Sequence, residues 1–170
     1  MKRLFSLLFC IVFFYNPGSS QELNNKISHN DEEILLGYCN RDGLYFEPFD
    51  QWFLLEYEEY EIDFSTLSEI DTSYFNNIKI TMVIGTWCGD SQREVPRFYK
   101  ILDELLYDES TLTMICVDRD KLAPVIDFQE MNISRVPTFI FYKNGAEIGR
   151  IIEYPEDTLE KDLLNILSEK

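Results

Sequence analysis

The sequence predicts an α/β fold, with a central mixed sheet flanked by helices. From residue 78 onwards, apolar runs of strand length alternate with helical patterns, which is typical of a layered α/β domain. A helical pattern separates the first two runs, so we expect those two strands to be parallel. Asn144-Gly145 lies between the last two runs and indicates a tight hairpin, so we expect part of the sheet to be antiparallel.

The first 20 residues have the pattern of a cleavable secretory signal. A basic start precedes the apolar run 4–15, and the small residues Gly18 and Ser20 precede the expected cleavage point. The run is shorter than the roughly 20 residues that a membrane span needs, so we expect no stable membrane span. The sequence therefore predicts export to the periplasm or the extracellular space, with a mature chain beginning at Gln21.

Charge and composition exclude several classes of function. The net charge is −16, and loss of the signal leaves 13 basic against 31 acidic residues. Such a surface repels phosphate backbones, so we expect no nucleic-acid partner. With one histidine, His29, and no closely spaced cysteine pair, we expect no metal site and no cofactor. The oligomeric state is open.

Two segments precede the regular pattern. Residues 21–31 are polar and predict a flexible leader, and residues 32–77 form an acidic and aromatic extension. The aromatic residues that recur at helical spacing are Phe49, Trp52, Phe53 and Tyr57. We expect this stripe to pack on the domain that follows; the alternative is a ligand-binding cage.

Residues 78–170 are expected to form the domain core. The predicted elements are strand 78–85, helix 91–107, strand 111–117, a helix within 121–131, strands 138–142 and 147–152, and helix 157–167. Pro124 must lie in the first turn of its helix, where its missing N–H costs nothing.

The candidate chemistry gathers at Cys88, between the first strand of this core and its helix. A cysteine at a helix start faces unpaired N–H groups and the positive end of the helix dipole, and both stabilise a thiolate. Ser91 is placed to direct its hydroxyl at that sulfur, whereas Asp90 sets an anion beside it and opposes the thiolate. Strand carboxyl ends are where open α/β sheets carry their sites. The alternative is a buried, inert cysteine.

Three stretches agree in order and spacing with one known family. They are Trp87-Cys88-Gly89-x-Ser91, Val136-Pro137-Thr138 and Tyr142-Lys143-Asn144-Gly145. Over residues 78–168 the chain resembles the thioredoxin family, whose site motif is Trp-Cys-Gly-Pro-Cys. The resemblance implies a thioredoxin fold with a cis peptide bond before Pro137. It also implies that Pro137 lies against the Cys88 sulfur. The backbone of Val136 would pair with an extended partner chain, with Thr138 in the same loop and Arg135 at the rim of the groove.

The positions at which this sequence differs from the family are those that release a bound partner. Ser91 stands where thioredoxins have a second cysteine that breaks the mixed disulfide, so the local dithiol reaction is lost. Met82 stands where the family has a buried aspartate that accepts a proton, and Met114 aligns with the accompanying lysine. The candidate resolving thiols are Cys39, in a predicted loop, and Cys116, near the end of a strand; a buried, inert residue is the alternative for Cys116.

Three cysteines remain after signal cleavage, so at least one thiol is unpaired within the chain. We therefore expect a monothiol protein that exchanges or isomerises disulfides in envelope or secreted proteins. Its partners would be cysteine-containing proteins or small thiols. The alternative is a binding module that holds partner polypeptides with little turnover, and a peroxide-reducing cysteine ranks last. Arg135 and Glu153 are expected at the mouth of the groove, either as a narrowing charged rim or as ordinary surface variation.

Overall fold

The computed structural model describes residues 22–29, 31–123, 126 and 129–168. The strands are β1 (Lys26–His29), β2 (Glu32–Leu35), β3 (Gly37–Cys39), β4 (Ile78–Ile84), β5 (Leu112–Cys116), β6 (Thr138–Lys143) and β7 (Ala146–Ile152). The helices are α1 (Asp50–Glu59), α2 (Phe64–Leu67), α3 (Gly89–Glu104) and α4 (Leu159–Ser168). The predicted signal, residues 1–20, lies outside the described residues.

The central sheet confirms the predicted α/β class. Its five strands run in the order β3-β5-β4-β6-β7. The α3 crossover makes β4 and β5 parallel, whereas β6 is antiparallel to both β4 and β7. Five of the seven residues of β4 are apolar, the exceptions being Lys79 and Thr81. The last three residues of the strand are fully buried, as expected for a central strand covered on both faces.

The N-terminal segment is more ordered than its composition predicted. Lys26–His29 fall in the expected flexible leader, yet they pair with Glu32–Leu35 in an antiparallel two-stranded sheet. Burial of Ile34 and Leu35 fixes the second strand, and the first is held by backbone hydrogen bonds that do not depend on its polar side chains. Cys39 was predicted in a loop but lies in β3, which joins the central sheet antiparallel to β5.

The aromatic extension packs into the same core as the sheet. Phe49 and Phe53 are fully buried, and the Phe53 ring lies edge-on to Tyr99 of α3 with 5.9 Å between ring centroids. Arg97 of α3 also holds α1, because its guanidinium binds the Glu56 carboxylate at 2.7 Å. Helix α1 therefore covers α3 as an outer layer.

The predicted helix within 121–131 falls partly on residues 124, 125, 127 and 128, which lie outside the described residues. The part that is described contains a 3₁₀ turn, Gln129–Met131. Within the described ranges, no helix has the length and apolar character to cross a bilayer. Nor does the described part of the chain bring together three or more side chains of the metal-binding types.

One hydroxyl in this core offers a stability test. Tyr99 is fully buried, and its hydroxyl has no hydrogen-bond partner among the described residues. Burial is the main reason that the pKa of this phenol is raised. We expect Tyr99→Phe to be neutral or to stabilise the fold by up to about 1 kcal/mol, because it removes a desolvated hydroxyl and keeps the ring.

The neighbouring Tyr57→Phe variant is the matched control. The Tyr57 hydroxyl donates to Asp103 at 2.6 Å, so its removal is expected to cost about 1 kcal/mol. Urea unfolding of both variants measures the contrast. Equal losses in the two variants would show that the Tyr99 hydroxyl has a partner after all.

Candidate active site

Cys88 stands at the junction between β4 and α3. It is the residue before the first turn of α3, with extended backbone angles, φ −94° and ψ 123°. Its N–H donates to the Gly85 carbonyl oxygen at 2.9 Å, which closes a tight turn after the strand. The thiol is half-buried and donates to the Val136 carbonyl oxygen at 3.3 Å. The structure thus brings together two residues that the sequence singled out 48 positions apart.

The segment facing the thiol is the loop before β6. The Val136–Pro137 peptide bond is cis. Val136 itself is buried in an apolar cluster on the Cys88 side of the sheet, and the Thr138 hydroxyl donates to the Arg135 carbonyl oxygen at 2.7 Å. These contacts fix the backbone of the loop next to the sulfur.

Trp87 is held by contacts that the sequence did not predict. Its indole N–H donates to the Val117 carbonyl oxygen at 2.8 Å, and the Arg119 guanidinium lies 4.9 Å from the centre of its ring. Arg119 also pairs with Glu32 of β2 at 2.6 Å, so the N-terminal hairpin reaches the site. A Cβ at Gly85 would lie only 2.6 Å from the indole, so this position has room only for glycine.

Ser91 is fully buried in the first turn of α3. Its hydroxyl oxygen accepts a hydrogen bond from the Gly85 N–H at 3.2 Å, and so links the helix to the turn. The hydrogen bond from Ser91 to Cys88 stays a prediction. The turn is also tied to the extension, because Thr86 Oγ1 accepts the Leu35 N–H at 3.1 Å.

Two carboxylates near Cys88 share one guanidinium. Arg93 contacts the Asp90 carboxylate at 2.8 Å and that of Glu94 at 2.7 Å. The hydrogen bond to Glu94 is the main reason that the pKa of Arg93 is raised. Arg93 thus offsets the anion at Asp90. Apart from its two chain neighbours and the backbone of its own helix, no described residue has an atom within 4 Å of where a Cβ of Gly89 would stand, so this side of the motif is open to a partner.

Met82 and Met114 are register partners on β4 and β5, and both are buried. A thioether does not accept a proton near neutral pH, so these two positions supply no base.

The other two cysteines face away from Cys88. Ile115 and Val117 pack in the cluster that also holds Cys88, and Cys116 lies between them in sequence. Because side chains alternate across a strand, Cys116 points to the opposite face of the sheet, where Cys39 is also buried. The structure therefore does not bring either candidate resolving thiol to the Cys88 sulfur.

The rim of the site carries an ion pair between Arg135 and Glu153. Glu153 accepts a hydrogen bond that raises the pKa of Arg135, and its own N–H donates to the Pro137 carbonyl oxygen at 2.7 Å. Its φ of 68° lies in the left-handed region that favours glycine.

Two substitutions of Glu153 distinguish the effect of the ion pair on stability from the effect of the strained backbone. Both Glu153→Ala and Glu153→Gly remove the ion pair, but only glycine relieves the left-handed backbone. We expect the glycine variant to be about 1 kcal/mol more stable than the alanine variant, as measured by urea unfolding. Equal stability of the two variants would mean that the backbone at this position carries no strain.

Comparison with known proteins places the site in context. Residues 68–166 match the family model described as Thioredoxin. Thioredoxin H9 of Arabidopsis thaliana is 30% identical over 102 residues, which cover 59% of this chain and 66% of the relative. Thioredoxin-2 of Saccharomyces cerevisiae is 30% identical over 87 residues, which cover 50% of this chain and 78% of the relative. The match thus spans just under two thirds of the plant relative's length. The solved structure of oxidised mitochondrial thioredoxin 3 from Saccharomyces cerevisiae matches with 27% identity and a TM-score of 0.34, covering 45% of this chain and 67% of that one.

Proposed function

Because the chain belongs to the thioredoxin family, we propose that it carries out thiol–disulfide exchange with a single active-site thiol, Cys88, on exported proteins that contain cysteine. Isomerisation of a substrate's own disulfides is the form of this reaction that a single thiol performs best. Small thiols are the second class of partner. The signal pattern in residues 1–20 supports the exported location.

The observation that carries the proposal is the position of the Cys88 thiol. It is half-buried at the start of α3, and it touches the Val136 carbonyl oxygen beside the cis bond to Pro137. A helix N-terminus stabilises the thiolate, which is the attacking species in disulfide exchange. The open space beside Gly89 offers an approach for the partner's disulfide.

The reaction has two balanced steps. The Cys88 thiolate attacks one sulfur of the partner's disulfide; a new S–S bond forms, the old one breaks, and the other partner sulfur leaves as a thiolate. In the second step a thiolate attacks the mixed disulfide and frees Cys88. That thiolate comes from the substrate's own second cysteine, which completes an isomerisation, or from an external thiol.

Release cannot come from the local groups. Ser91 has no thiol, and its hydroxyl oxygen already accepts the Gly85 N–H. Met82 and Met114, which stand where the family has its proton acceptor and the accompanying lysine, supply no base. These three residues also favour a second candidate function, a module that holds partner chains through a slowly released mixed disulfide.

A peptide-resolved exchange assay tests the proposal. The reduced protein is incubated with oxidised glutathione, quenched with acid, alkylated and digested with trypsin. Each cysteine of the described part lies on its own tryptic peptide: 27–41, 80–93 and 101–119. We expect glutathione on peptide 80–93, and its loss when reduced glutathione is added.

Two outcomes would contradict the exchange hypothesis. If peptide 80–93 remains free while a small exposed thiol control reacts, Cys88 is not an exchanging thiol. If Cys88 forms the adduct with a disulfide-containing peptide but added glutathione does not release it, the chain is better described as a retaining module.

A further inference from the structure

The strands β3 and β5 place two buried cysteines beside each other. Gly37 is the register partner of Cys116, and Cys39 is the partner of Met114. Cys39 and Cys116 are therefore diagonal neighbours on the same sheet face, where side chains of adjacent strands meet. Their exposed fractions are 6% and 0%, and the apolar residues of the main core surround them.

The two thiols lie on the same face of neighbouring strands, and both are enclosed by the same apolar core. Burial raises the pKa of the Cys116 thiol well above its usual range, and the neighbouring Cys39 raises it further. A neutral, enclosed thiol is a poor nucleophile towards outside partners, so this pair would be oxidised during folding, before the core closes over it.

We propose that Cys39 and Cys116 form an intramolecular disulfide that fastens β3 to β5. The oxidant is a low-molecular-weight disulfide. One cysteine takes up half of it as a mixed disulfide and releases one thiol; the second cysteine then attacks, forms the Cys39–Cys116 bond and releases the other thiol. Two protein thiols are oxidised, one disulfide is reduced to two thiols, and the two protons from the protein are carried by those thiols.

The disulfide would strengthen the attachment of the N-terminal extension to the central sheet. β3 has only three residues and lies at an edge of the sheet, so few backbone hydrogen bonds hold it. A covalent link there closes a long loop of the chain and restricts the unfolded state. The link would also account for the odd number of cysteines after signal cleavage, because Cys88 would remain as the one unpaired thiol.

Refolding in a redox buffer tests the proposal without relying on access to the buried thiols. The protein is unfolded in urea with a reductant, and then refolded in a mixture of oxidised and reduced glutathione. It is alkylated and digested with trypsin without reduction. We expect peptides 27–41 and 101–119 to be joined in most molecules, and the same result in the Cys88→Ser variant.

A stability measurement provides the second readout. Reduction with a phosphine should lower the urea midpoint of the refolded wild-type protein and of Cys88→Ser, but not that of Cys116→Ala. The proposal is overturned if both peptides carry alkylated or glutathionylated cysteines after refolding. It is also overturned if either peptide is joined to peptide 80–93. These results do not depend on whether Cys88 exchanges disulfides.

Discussion

Replacing Cys88 with serine is expected to abolish formation of the mixed disulfide at peptide 80–93. Among the cysteines in the described part of the chain, only Cys88 donates a hydrogen bond to the Val136 carbonyl oxygen. A serine hydroxyl cannot form a disulfide, so the signal should fall to the background of an alkylated control. Stability should change little, because Cys88 is only half-buried.

Replacing Ser91 with cysteine is the complementary change in the same experiment. A thiol at this position should attack the mixed disulfide from within the chain. We expect the lifetime of the adduct to shorten by about 100-fold or more, because an oriented internal thiol acts at a high effective concentration. Rapid mixing followed by an acid quench measures this lifetime.

Ser91→Ala is the matched control for the buried site. It leaves the Gly85 N–H without its partner and should cost about 1 kcal/mol of stability. The adduct in this variant should form and persist as in the wild type. A short-lived adduct in Ser91→Ala would show that the serine hydroxyl, and not the absence of a second thiol, governs release.

Phe53→Ala is expected to lower the free energy of unfolding by about 4 kcal/mol, because it leaves a cavity in the core where α1 meets α3. The Phe53 side chain is fully buried and contacts the rings of Tyr45, Tyr57 and Tyr99. A loss of this size is a large part of the 5–15 kcal/mol or so that stabilises an ordinary domain. Urea unfolding followed by tryptophan fluorescence measures the loss.

Leu54→Ala, at the next position on α1, is the matched control. Its side chain is 46% exposed, so truncation should change stability by less than about 0.5 kcal/mol. If Phe53→Ala were as mild as Leu54→Ala, the extension would be an independent appendage and not part of the core.

The elements that were predicted correctly have strong local signals. The alternation of apolar runs with amphipathic helices gives the α/β class, and Asn144-Gly145 does form the turn between β6 and β7. Cys88 was recognised because a helix start is visible in the sequence. The resemblance implied only that Pro137 lies against the Cys88 sulfur; the hydrogen bond to the Val136 carbonyl oxygen was seen in the structure, since no local pattern links residues that far apart.

The parts that were missed are short or depend on long-range pairing. β1 has four residues and β3 has three, too few for a periodic pattern, and β3 also pairs with a strand far along the chain. The pair Arg119–Glu32 joins residues 87 positions apart, and neither residue has a neighbour that would mark it. Cys39 was placed in a loop for the same reason, and its position diagonal to Cys116 became visible only when β3 was seen beside β5.

The position of β3 has a practical consequence for recombinant work. The segment recognised by the family model, residues 68–166, contains neither β3 nor α1. A chain trimmed to those limits would expose the edge of β5 and the apolar side of α3, and an unprotected strand edge beside apolar surface favours aggregation. The unit that folds is thus longer than the unit that is recognised by similarity, so truncations for expression should retain residues 22–67.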